Sequence, residues 1–285
     1  LRTSIGDISL WFDTDGVGLV VDGKAMLERR TIVILHGGPG FDHSTLKPEY
    51  EVLAQVAQLV FIDQRGHGRS DLSEKQFWNL DRWADDVAAF CHTLDIKEPI
   101  LLGQSFGGFV ALAAAIRHPS LFRGVITLGS VAHVEREAAI ARFGELGGPP
   151  AAAAFADVLA RPEDETAFTK FTQLCFPLYS RQGFNPVKMA RSIINRELIN
   201  HFFGPGGEYG NFDLRAGLAT THTPTLLLHG KLDPILPIEF ARATAAAFPP
   251  GVAELVAYDD CAHSVAADRW EDAHSRMVEF IRRLD

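Results

Sequence analysis

Ser105 stands in Gly103-Gln104-Ser105-Phe106-Gly107-Gly108, directly after the apolar run Ile100-Leu101-Leu102 and directly before an alanine-rich helical pattern. A sharp turn from strand to helix, with small residues two before and two after, leaves a serine hydroxyl exposed and strained. A helix starting behind it directs free N–H groups and a positive dipole end toward developing negative charge. A serine so placed is a nucleophile that needs a base, and the base needs an orienting acid. His263, in Cys261-Ala262-His263-Ser264 after an apolar run at 253–258, is the candidate base. Asp233, in Gly230-Lys231-Leu232-Asp233-Pro234 after Thr225–His229, is the candidate acid. Asp259 and Asp260 compete for that role, but their closeness to His263 in the chain makes them turn or surface groups. The order Ser105, Asp233, His263 is that of an elbow-serine hydrolase, not that of the trypsin-like or subtilisin-like proteases.

An oxyanion formed at Ser105 needs two N–H donors. One is the N–H of Phe106. The other comes from His36-Gly37-Gly38-Pro39-Gly40, where the glycines let the backbone approach a ligand; Gly38 is the assigned donor and Gly37 the fallback. His36 braces this loop rather than reacting. No HExxH or paired Cys/His spacing points to a metal, and acyl transfer through a serine requires no cofactor.

These residues must be carried by strands whose C-terminal ends share one edge. Apolar runs at Ile5–Phe12, Gly18–Val21, Thr31–His36, Leu59–Asp63, Pro99–Gly103, Gly124–Leu128, Thr225–His229 and Ala253–Tyr258 read as strands. Helical patterns at Thr45–Ala57, Leu80–Leu94 and Phe106–Arg117 lie between them, so an α/β fold with a mostly parallel sheet covered on both faces is expected. From Val131 to about Arg215 no strand pattern remains, and Gly147–Pro150 and Phe203–Gly210 interrupt helical spacing. Residues 1–130 and 216–285 are therefore expected to form the core, with 131–215 as a helical lid over the strand ends, where α/β sheets carry their sites. Helical spacing makes core packing the default for Phe155, Phe168, Phe171, Phe176, Phe202 and Phe203, with one or two lining a substrate pocket.

Together these features resemble the α/β-hydrolase superfamily over nearly the whole chain. His36–Gly40 with Asp63-Gln64-Arg65-Gly66-His67-Gly68-Arg69-Ser70 is similar to the proline iminopeptidase branch, whose members carry HGGPG and a DQRGxGRS-like segment. The Gly204-Pro205-Gly206-Gly207-Glu208-Tyr209 stretch looks like that branch's GP-x-E-F-type segment, which implies that Glu208 holds a substrate's amino group. The pattern departs at Pro234, where such peptidases commonly have a second acid; losing it weakens an ammonium handle. The Asp63–Ser70 segment reads as a structural loop in which Arg65 pairs with an acid.

The resemblance implies an aminopeptidase or amidase acting on small or short-peptide substrates. A carboxylesterase or lactonase is the alternative, with a lyase or a ligand receptor on the same scaffold third. The presence of Ser at the elbow argues against the carboxylate-nucleophile chemistry of haloalkane dehalogenases and epoxide hydrolases. Of 285 residues, 27 are Lys or Arg and 36 are Asp or Glu, for a formal net charge of −9. An acidic chain without a basic tract excludes nucleic acid and anionic membranes as natural partners. Cys91, Cys175 and Cys261 are too few and too far apart for a disulfide framework, which fits a reducing cytoplasm.

Overall fold

A computed structural model describes residues 1–183 and 185–284. Eight strands form one sheet in the order β1-β2-β6-β5-β7-β8-β9-β10, and β3 and β4 form a separate hairpin. The strands are β1 (Arg2–Ser4), β2 (Ser9–Asp15), β3 (Leu19–Asp22), β4 (Ala25–Glu28), β5 (Thr31–Leu35), β6 (Gln58–Asp63), β7 (Ile100–Gln104), β8 (Gly124–Leu128), β9 (Thr225–Gly230) and β10 (Ala253–Tyr258). From β6 through β10 every neighbouring pair is parallel, and only β1 and β2 join antiparallel.

A parallel sheet must be covered on both faces, so its strands are apolar on both sides of the pleat. On β5, Val33 and Leu35 enter a core with Trp83, Val87, Val110 and Phe240, from the helices Leu80–Thr93, Phe106–Arg117 and Ile238–Ala247. Ile32 and Ile34 enter a second core on the opposite face with Tyr50, Leu53, Met277 and Ile281. The same alternation separates Leu101 from Ile100 and Leu102 on β7. Between β8 and β9 the regular structure is helical, including Arg136–Ala160, Glu165–Leu174 and Arg196–Phe203. No helix among the described residues is long and apolar enough to cross a membrane.

Two local readings need correction. The run Ile5–Phe12 is not one strand: Gly6 turns at φ 115° and Ile5 N–H donates to Ile8 O at 2.9 Å, so the chain folds back as β1 and β2. The stretch Thr45–Ala57 keeps its apolar period, burying Leu46, Tyr50, Leu53 and Ala57, but winds as a short α-helix Lys47–Tyr50 flanked by tighter 3-10 turns. The interruption expected at Gly147–Pro150 is present: Gly148, with φ 78° and ψ 176°, divides the run from Arg136 to Ala160 into two helices, and Pro149 and Pro150 start the second without needing their missing N–H. β4 carries no run of its own that stands out, because all four of its residues are exposed.

The Asp63–Ser70 loop ties the sheet's edge to its helices. Arg65 is fully buried, donating to Asp86 through Nε at 2.6 Å and Nη2 at 2.8 Å, and to Asp7 at 2.9 and 3.0 Å. Asp63 accepts from His43 N–H at 3.0 Å, the His43 ring at 2.7 Å and Arg69 N–H at 2.9 Å. Removing one partner of a buried pair strands the other charge, at a cost of about 3–5 kcal/mol. Arg65→Met is therefore expected to lose about 3 kcal/mol in urea denaturation, and Arg65→Met with Asp86→Leu to recover much of it. A single variant as stable as wild type would contradict this reading.

Candidate active site

At the end of β7 the backbone of Ser105 adopts φ 51° and ψ −120°, a region that costs a non-glycine residue about 1–3 kcal/mol. The turn is held by Ser105 N–H donating to Leu128 O at 2.9 Å and Gly108 N–H returning to Ser105 O at 2.8 Å. Space enforces it as well. A Cβ at Gly103 would lie 2.3 Å from Gly107 O, and one at Gly107 would lie 2.1 Å from Leu35 O. The small residues expected around the serine are thus required by the crossing of strand, turn and helix. Among the described residues, the N–H groups of Phe106 and Gly38 enter no hydrogen bond. Gly38 sits at φ 129° on the cavity wall beside Gly37, while the Phe106 ring is buried against Trp83 and Phe202.

His36 is buried beneath this loop: Nδ1–H donates to Gly37 O at 2.8 Å, and Nε2 accepts from Gln64 N–H at 3.3 Å. Burial holds its pKa below the ordinary value. It ties the glycine loop to the Asp63–Ser70 loop.

Asp233 and His263 meet although thirty positions apart, with Nδ1 of the imidazole 2.7 Å from Oδ2. The other carboxylate oxygen accepts from Ile235 N–H at 3.0 Å and Leu236 N–H at 2.8 Å, an Asx-type turn around Pro234. Pro234 thus serves the turn that presents Asp233. The carboxylate acceptor places the imidazole proton on Nδ1 and leaves Nε2 as a base. Behind His263, its carbonyl lies against Gly129, where a Cβ would approach it to 2.6 Å, so the histidine loop is seated on the end of β8. Asp259 and Asp260 are exposed and pair with Lys231 and with Arg181 and Arg269.

Ser105 and His263 open into one cavity of about 250 Å³. Its walls include Phe109 from the core and Phe155, Phe168, Phe171, Phe176 and Phe203 from the helical insertion. This corrects the expectation of one or two lining phenylalanines: five of the six named line it. Phe202 is instead packed on Phe106 and Phe109. Helical spacing identifies a buried stripe but cannot distinguish burial against protein from burial against a cavity. Among the described residues, no acidic one lines the cavity.

The structure does not bring Glu208 to this cavity. Its carboxylate accepts from Leu80 N–H at 2.8 Å, at the start of the helix Leu80–Thr93. The following residue, Tyr209, does line the cavity and donates its hydroxyl to Ile235 O at 3.1 Å, beside Asp233. Burial raises the Glu208 pKa from 4.5 to about 7, against the lowering effect of the Leu80 N–H.

Three further residues were not singled out from the sequence. Tyr179 stands edge-on to the His263 ring at 5.1 Å, and its carbonyl accepts from Ser264 N–H at 2.8 Å. His229, at the end of β9, is buried 3.5 Å from Asp233 and donates to Leu236 O at 2.7 Å, bracing the same turn. Gln104 lines the cavity next to Ser105. Only Gln104 and His229 carried a sequence signal, each a polar residue at the end of an otherwise apolar strand.

The fold and the arrangement at the strand ends define a class that the comparisons identify. Residues 30–269 match the family model described as alpha/beta hydrolase fold, and the chain belongs to that family. Within it, the chain is similar to proline iminopeptidases among other hydrolases. It is 22% identical to a proline iminopeptidase of Thermoplasma volcanium, with 91% of each chain covered. In structure it is similar to the proline iminopeptidase of Mycobacterium smegmatis (TM-score 0.78, 20% identity, 100% of this chain and 98% of that one). It is equally similar to the esterase RhEst1 of a Rhodococcus species (TM-score 0.76, 20% identity, with the same coverages).

A raised carboxyl pKa in the folded state means that the native protein keeps a proton which the unfolded chain has released. Stability from this group is present below about pH 4.5 and is lost as pH rises through about 7. Glu208→Gln, which keeps an acceptor for Leu80, is expected to melt above wild type at pH 8, with the gap closing toward pH 5. A gap that widens toward pH 5 would place the carboxylate in a charge-stabilising setting instead.

Proposed function

We propose that this protein is a serine hydrolase that cleaves small, uncharged esters with an apolar acyl or alcohol group through an acyl-enzyme. The supporting observation is the shared cavity: Ser105 and His263 face a space lined largely by aromatic and apolar side chains, with no acidic side chain among the described residues that line it. An ammonium group brought there would lose its hydration without a carboxylate partner, at several kcal/mol. Cation–π contacts with the rings would return about 0.5–2 kcal/mol, which does not offset that loss. An apolar group gains about 25 cal/mol for each Å² removed from water.

In this reading His263 takes the Ser105 proton through Nε2 as Oγ attacks the carbonyl carbon. The oxyanion accepts from the N–H groups of Gly38 and Phe106, each donor being worth about 3–4 kcal/mol. Asp233, its other oxygen held by two backbone N–H groups, keeps the imidazole tautomer and supports the imidazolium. His263 then protonates the leaving alcohol. Water, deprotonated by the same nitrogen, attacks the acyl-enzyme and releases the acid together with free Ser105. The helical insertion serves as a lid, contributing most of the aromatic wall. The N–H groups of Gly38 and Phe106 being unclaimed, and the Asp233–His263 contact, support these roles.

The names of the relatives favour a second reading, release of an N-terminal amino acid from a short peptide or amide. Glu208 could supply its carboxylate only by leaving the Leu80 N–H. The two readings separate on substrates: kcat/KM is expected to be measurable on p-nitrophenyl butyrate or hexanoate and at least about 100-fold lower on prolyl and other aminoacyl p-nitroanilides. Ser105→Ala is expected to lower ester turnover by about 10⁴-fold or more. Preference for prolyl p-nitroanilide would establish the second reading, and full activity in Ser105→Ala would end both.

A further inference from the structure

The cavity is not apolar throughout. Its lining also includes Thr45, Gln104 and Lys188. Lys188 reaches out of this wall to Glu49, Nζ to Oε1 at 2.6 Å, so its charge is already met. Gln104 differs. Its strand parity turns the side chain toward the core face of Tyr50, and Tyr50 Oη donates to Gln104 Oε1 at 3.0 Å. Tyr50 is fully buried, with Trp270 edge-on at 5.5 Å. Its hydroxyl proton has no other acceptor among the described residues. Reversing the amide would leave that buried O–H without an acceptor, a loss of about 1–3 kcal/mol. The orientation is therefore determined: Oε1 faces Tyr50 and the NH₂ group is left over. Gln104 Nε2 makes no hydrogen bond among the described residues, and it is not among the polar atoms sealed in the interior.

We propose that Gln104 is a specificity-determining hydrogen-bond donor, aimed into the cavity beside Ser105 by Tyr50, which selects substrates carrying a neutral carbonyl-type oxygen in addition to the scissile ester. The inference rests on the serine-hydrolase reading and narrows its substrate class from plain alkyl esters to oxo-esters. Tyr50 touches no substrate; it is a positioning residue acting through Gln104. A hydrocarbon chain laid over the amide would strip water from an N–H pair and give nothing back, whereas a keto oxygen replaces that water. The preference is thus generated on both sides, by the bond gained and by the donor left unpaired with the wrong ligand.

The test compares ethyl hexanoate with ethyl 4-oxohexanoate and ethyl 5-oxohexanoate, matched chains that differ by one carbonyl oxygen. At least one keto ester is expected to exceed ethyl hexanoate about tenfold in kcat/KM, mostly through KM. Gln104→Met, close in shape and without the donor, is expected to bring that ratio to about one, and Tyr50→Phe to reduce it at least threefold. Thermal melting of each variant checks that it folds. Equilibrium binding of the same esters to Ser105→Ala, alone and combined with Gln104→Met or Tyr50→Phe, repeats the comparison without turnover. A ratio near one in wild type, or one untouched by Gln104→Met, would overturn the proposal. Ser105→Ala that still hydrolyses the esters would overturn the serine reading, while the binding ratios would still decide the role of Gln104.

Discussion

The structure depends on a single backbone constraint, the forced φ 51° of Ser105 where β7 passes into its helix. A residue does not hold such a conformation unless its surroundings over-determine it. Here the surroundings are the parallel neighbours: Leu35 at the end of β5 presses on Gly107, Gly107 on Gly103, and Leu128 at the end of β8 holds Ser105 N–H. Glycine at 103 and 107 is what lets strand, turn and helix cross so closely. The sheet order places β7 between β5 and β8, so the glycine loop after β5 falls on one side of the serine. β9 and β10 follow on the other side, bringing the loops that carry Asp233 and His263.

Around that point, each loop is fixed from behind by groups that face away from the cavity. His36 joins the glycine loop to Gln64; His229 and two backbone N–H groups hold the Asp233 turn; Gly129 admits the His263 carbonyl; Tyr50 fixes Gln104. Polar groups at these positions are buried because they are paired, and each pairing sets the direction of a neighbour that faces the cavity. The helical insertion lines the cavity mainly with aromatic and apolar side chains, and the charge of Lys188 in that lining is met by Glu49.

Much of this was legible in the chain. Gly103-Gln104-Ser105-Phe106-Gly107-Gly108 announces the elbow because sterics leave few alternatives at those positions, and Asp233 and His263 follow from the ends of apolar strands. Strand existence was readable for the same reason: a covered parallel sheet needs continuous apolar runs. What escaped lies in the direction of side chains. The motif around Glu208 suggested an ammonium partner, but the fold turns its carboxylate to Leu80 and presents Tyr209 to the cavity. The phenylalanines of the insertion carry helical spacing whether they face protein or empty space. Ile5–Phe12 contained a turn at Gly6-Asp7 whose meaning depends on Arg65, fifty-eight positions from Asp7. Long-range pairing of this kind has no local signature.

The most direct test of the account is covalent labelling by a fluorophosphonate, followed by intact mass and peptide mapping of wild type and Asp233→Asn. The account predicts one adduct per chain, on the peptide containing Ser105. Its rate should fall by several orders of magnitude in Asp233→Asn, because the imidazole loses its tautomer and its support. No adduct on wild type, an adduct elsewhere, or a labelling rate indifferent to Asp233 would contradict it.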